Sequence, residues 1–119
     1  WTRFEARALQ ECGALSGSDV VRLLHACTLA RRSPPRLLAR LAREIPEKMP
    51  QLGVAGLCVC MHSYAKLACR EEKLFATATR WLLHPRQQEH LRAPHLASLL
   101  YSHASLHLVD RALVRLAQR

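Results

Sequence analysis

The chain has 119 residues, half of them apolar, and carries 18 Lys and Arg against 9 Asp and Glu, for a formal net charge of +9. That length fits one domain or a short stack of repeats, and apolar residues recur too regularly for intrinsic disorder. Five cysteines, at 12, 27, 58, 60 and 69, form no regular spacing; they argue against a secreted disulfide framework and fit a reducing compartment.

Only 4 glycines are present, and Ala, Leu and Arg dominate, which is a helical composition. The elements repeat. Residues 1–14 open with WTRFEARALQEC, which reads as the second helix of a preceding, partial unit. Unit one, 15–51, has a first helix from near Ser18, capped by Ser16 or Ser18, then the turn RRSPP and a second helix RLLARLAREI. PEKMP, 46–50, should end that helix, because proline removes an N–H and clashes with the preceding turn. Unit two, 52–90, has a first helix from near Val54, the turn ACREE and the helix KLFATATRWLL, closed by the connector HPRQQEHLRAP. Unit three, 91–119, starts its first helix near Pro94, a residue suited to a first turn, and continues through LHLVD into RALVRLAQR.

The units align without gaps at offsets of 37 and 39 residues. Leu15, Leu52 and Leu91 share a column, as do Val20, Leu57 and Leu96, and Leu37, Leu74 and Leu113. One helical hairpin cannot bury its own apolar face, but stacked neighbours can. The expected fold is all-α, an α-solenoid of about three and a half helix-turn-helix repeats of 37–39 residues. Trp1 and the end after the last helix should then be exposed or covered by a partner.

LCVCMHSYAKL, 57–67, brings together Cys58, Cys60, His62 and Tyr64, a set that suggests a metal site, a redox pair or a nucleophile with its base. The columns favour packing. Cys60 aligns with Leu23 and Leu99, and Tyr64 with Cys27 and His103. Cys58 and His62 lie one helical turn apart, but no second ligand pair accompanies them, and zinc normally takes four ligands. No metal, cofactor or catalytic residue is therefore expected. A Gly-rich phosphate loop, a carboxylate pair and a nucleophile motif are all missing from the sequence.

His62 falls on the opposite stripe, in one column with His25 and Tyr101. Their flat faces and polar edges suit bases, and Arg22 and Lys66 on the same stripe suit phosphates. On the second helices, Arg36, Arg40 and Arg43 form one stripe, Arg111 and Arg115 another, and Arg43, Arg80 and Arg119 share a column. Each stripe could track a phosphate backbone; the alternative for both sets is a solvated face without a ligand. A charge of +9 makes a polyanion the expected partner. No apolar run approaches the roughly 18 residues of a membrane span, and none is expected. The start at Trp1, without an initiator Met, reads as a mature or partial chain.

The pattern L-x4-[LV]-x2-[LC]-[LM]-x-[AS], followed by a turn and L-[LF], resembles the helical repeats of organellar RNA-binding proteins. LSGSDVVRLLHACTLA and LGVAGLCVCMHSYAKLA are similar to the first helices of heptatricopeptide and octotricopeptide repeats and of FAST-kinase-like proteins with RAP domains. The resemblance covers residues 15–119, without a RAP domain. It implies mitochondrial matrix or, second, plastid localisation, RNA binding and a place among neighbouring proteins in a large assembly. The expectation is a non-catalytic structural component of a mitochondrial ribosome that clamps rRNA; the alternative is an α-solenoid protein–protein interaction scaffold.

Overall fold

The computed structural model describes residues 2–118. Among them are seven α-helices, one 3-10 turn and no strand. In chain order these are α1 (Thr2–Glu11), the turn Cys12–Ala14, α2 (Gly17–Ala30), α3 (Pro35–Lys66), α4 (Glu72–Leu82), α5 (Pro85–Gln88), α6 (Ala93–Ser105) and α7 (Arg111–Ala117). The body measures 47 × 26 × 21 Å. Helix α3 is its axis: α1, α2, α4 and α6 all pack on it, and α7 packs on α6.

Local chemistry sets the ends of α2. The Ser16 side chain accepts from the Asp19 backbone N–H at 3.1 Å, and the Asp19 carboxylate accepts from the Ser16 N–H at 3.1 Å, a complete capping box. Those bonds from Ser16 hold the Asp19 carboxyl below its ordinary value. Their contribution is present above the usual carboxylate range and is lost as pH falls through it. The Gly17 N–H donates to the Gln51 side-chain oxygen at 2.9 Å, and a Cβ at Gly17 would meet Gln51 at 3.1 Å. This close approach fixes the start of α2 against the middle of α3.

The expected helix end at 46–50 is not where the chain breaks. Pro46 and Pro50 both lie inside α3, and the only non-helical residue within it is Gly53, at φ 68° and ψ −176°. An interior proline costs about 3 kcal/mol. Against that, Leu41, Ile45 and Met49 form one buried row at four-residue spacing, and burying each side chain stabilises by about 1.5–3 kcal/mol. Stopping at Pro46 would also pull Gln51 and Leu52 away from Gly17. Tertiary packing overrides the prolines, and the bend falls on the one residue type that adopts Gly53's backbone freely.

Three caps recur. Arg31, Ala68 and His107 follow the ends of α2, α3 and α6, each in the left-handed conformation, at φ 53°, 54° and 56°. The N–H of the next residue bonds back in each case: Arg32 to the Cys27 carbonyl at 3.0 Å, Cys69 to Tyr64 at 2.9 Å, and Leu108 to His103 at 2.8 Å. These are three Schellman caps, and their offsets of 37 and 39 residues equal those of the sequence columns. Left-handed backbone costs an L-residue about 1–2 kcal/mol, and glycine escapes that strain. Ala68 is exposed. Ala68→Gly should therefore raise stability by up to about 1 kcal/mol in urea denaturation; a loss of stability would contradict the cap.

The core follows the columns. Val20 and Leu24 of α2, Leu57 and Met61 of α3, and Leu99 of α6 are buried, as are Leu37, Leu74 and Leu113. Val114, in the column of buried Leu38 and Phe75, is 38% exposed because nothing among the described residues packs beyond α7.

Candidate nucleic-acid interface

The segment 57–67 divides its residues between two faces. Cys58, Cys60 and Tyr64 point into the core. Burial pushes the Cys58 thiol up to about 11 and the Cys60 thiol up to about 12, so both remain thiols at neutral pH. Among the described residues no three of His, Cys, Asp and Glu come together in a way that would hold a metal ion. Native chain should react with iodoacetamide at Cys58 and Cys60 at least about a hundredfold more slowly than unfolded chain at pH 7.5, read by mass spectrometry. Native labelling at the unfolded rate would contradict the burial of these thiols.

Tyr64 and His103 share a column; Tyr64 ties the two halves of α3 together across the Gly53 bend, and His103 ties α6 to α4. The Tyr64 hydroxyl donates to the Leu38 carbonyl at 2.7 Å. His103 Nδ1 lies 2.7 Å from the Leu99 carbonyl, which can only accept, so Nδ1 carries the proton. In the neutral ring Nε2 then accepts from the Thr79 hydroxyl at 3.2 Å, and the ring meets Phe75 edge-on with centroids 5.1 Å apart. Both residues serve packing.

The opposite stripe is on the surface. On α2, Arg22, His25 and Leu29 are exposed, Leu29 at 72%. On α3, Val59 is 44% exposed, His62 is half-buried and Lys66 is exposed. On α6, Tyr101 is 57% exposed. The three- and four-residue spacing that turns Leu57, Met61 and Tyr64 inward turns Val59, His62 and Lys66 outward. The structure brings His62 and Tyr101 together, with ring centroids 5.6 Å apart and planes tilted by 42°. His62 Nδ1 is buried in this contact region without a hydrogen-bond partner among the described residues. Arg22 meets Asp19 only loosely, at 3.9 Å, a surface pair of little energetic weight. Lys66 shares a groove with Arg31, Thr28, Ser33 and Leu67, and no acidic side chain lines it. The stripe thus combines two touching aromatic rings, a third ring on α2 and flanking cations.

The second-helix arginines are less uniform. Arg40 is held by Glu44, 2.8 Å away, and Glu44 also faces Lys48 at 3.9 Å. Arg40 is therefore engaged within the fold, and its stripe presents Arg36 and Arg43, both exposed. Arg80, Arg111 and Arg115 are exposed, and none of these five pairs with an acidic side chain among the described residues. Arg119, like Trp1, lies outside the described residues. Column reasoning selects Arg80 but not its neighbours Trp81, His84 and Arg86, which share a groove with it. The turn at Pro85 that brings Arg86 back has no repeat counterpart and so leaves no periodic signal.

No helix of the described chain is long and apolar enough to cross a membrane. The chain matches no protein-family model, and no curated protein or solved structure is significantly similar to it.

Proposed function

We propose that the chain is a non-catalytic RNA-binding α-solenoid whose first helices, α2, the half of α3 after Gly53, and α6, present the RNA-contacting surface. The observation that carries this is the surface stripe of exposed His25 and Tyr101 and half-buried His62, flanked by Arg22 and Lys66, on a chain of charge +9. Bases stack on rings of this kind regardless of sequence, and the flanking cations meet the phosphates. The repeat arrangement, with 1–14 as a partial unit and units at 15–51, 52–90 and 91–119, is supported by the caps at Arg31, Ala68 and His107, whose spacing follows the offsets of the sequence columns. The contact of Tyr64 with Leu38, across the bend in α3, and that of His103 with Thr79 of α4 support it too. Arg36, Arg43, Arg80, Arg111 and Arg115 supply a second set of phosphate contacts. The place of work we assign is the mitochondrial ribosome, with rRNA as ligand and neighbouring ribosomal proteins as partners. This assignment rests on the resemblance of the repeats.

A second reading, a protein-interaction scaffold, is favoured by exposed Leu29 and Val59 on the same stripe. Salt separates the two. Affinity for single-stranded RNA should fall with salt at about 0.7 log units per log unit for each phosphate contact. Arg22→Ala with Lys66→Ala should then reduce that slope by about 1.4. A folded chain that binds neither single-stranded nor structured RNA at low salt would leave the scaffold reading in its place.

A further inference from the structure

A groove of about 500 Å³ between the middle of α3 and the end of α4 shares no residue with the first-helix stripe. Pro46 and Met49 give it an apolar wall, and Trp81 adds an indole. Arg80, His84 and Arg86 also line it, with Thr77 and Gln87, and no acidic side chain does. The contrast with the groove beside α7 is direct: there Arg70 is accompanied by Glu72 and Asp110, which cancel its charge locally. His84 Nδ1 accepts from the Arg86 backbone N–H at 3.2 Å. The proton of a neutral His84 ring therefore sits on Nε2, available as a donor.

We propose that this groove binds a nucleotide, its base stacked on Trp81 and its phosphate held by Arg80 and Arg86. An aromatic face is the sequence-tolerant partner of a base, and guanidinium forks match phosphate geometry. Thr77 and Gln87 add hydroxyl and amide groups of the kind that meet base edges. The volume lies within the range of small-ligand sites. The nucleotide is either a free 5′-monophosphate or one residue of an RNA chain, and only the second source rests on the RNA reading above.

The chain has two tryptophans, so Trp1→Phe leaves Trp81 as the sole emitter. This protein is titrated with adenosine 5′-monophosphate, adenosine, ribose 5-phosphate and a labelled single-stranded oligoribonucleotide, following Trp81 emission and the label's anisotropy. Saturable quenching by the monophosphate, weaker with adenosine and absent with ribose 5-phosphate, is expected for a free nucleotide. Quenching by the oligonucleotide alone assigns the site to an RNA residue. Arg80→Ala with Arg86→Ala, on exposed positions that leave helicity unchanged by circular dichroism, should weaken the quenching ligand by about tenfold or more. An oligonucleotide that binds by anisotropy without changing Trp81 emission, when the monophosphate is also silent, sinks this inference and leaves the RNA reading standing. Monophosphate quenching in a chain that binds no RNA does the reverse. Quenching unaffected by the double arginine variant also overturns the proposal.

Discussion

Replacing His25, His62 and Tyr101 together by Ala should weaken single-stranded RNA binding by about two orders of magnitude while leaving the fold intact. Stacking contributes about 1–3 kcal/mol per base by alanine substitution, so three rings acting even at the lower figure give that loss. The substitutions are tolerable because His25 and Tyr101 are exposed. At His62 the change deletes a ring nitrogen that has no partner, and removing an unsatisfied buried group takes away a penalty. The salt slope should stay where it is, because no phosphate contact is removed. Filter binding across salt, with urea denaturation as the control for folding, checks both halves. Unchanged affinity in a folded triple variant would remove base stacking from the account.

Tyr64→Ala should destabilise the chain by about 3–5 kcal/mol, a large part of the roughly 5–15 kcal/mol that holds a domain together. Tyr64 is among the largest fully buried side chains, set between the two halves of α3, and its hydroxyl crosses to Leu38. Tyr64→Phe keeps the ring and loses only that bond, and should cost about 1 kcal/mol. Urea midpoints of the two variants measure the difference directly. A Tyr64→Ala chain as stable as the parent would show that 57–67 is something other than a packing segment.

The placement of the helices was largely legible in the sequence, because several columns keep one physical role. Leu37, Leu74 and Leu113 line up and are all buried, and Tyr64 and His103 line up and both bond back to an earlier helical segment, Leu38 in the first half of α3 and Thr79 in α4. The three left-handed caps were not legible, since Arg31, Ala68 and His107 are not the glycines that usually mark such a position. Local rules failed at Pro46 and Pro50, where the buried row of Ile45 and Met49 keeps α3 helical, and the break moves to Gly53. The candidate interface was half legible. Periodicity turns His62 and Lys66 outward, but only the packing of α6 on α3 brings Tyr101 to His62. Arg40 looks free in a helical projection, yet Glu44 one turn later holds it. The groove around Trp81 depends on a turn that no repeat predicts.

The central claim is that RNA lies on the first-helix stripe. Ultraviolet crosslinking of the purified chain to a single-stranded RNA, followed by mass spectrometry of the crosslinked peptides, tests it most directly. The account predicts adducts at His25, His62 and Tyr101, lost when a competing unlabelled RNA is added. Adducts absent from all three positions, with RNA bound at saturation, would contradict it and move the binding surface to the second helices.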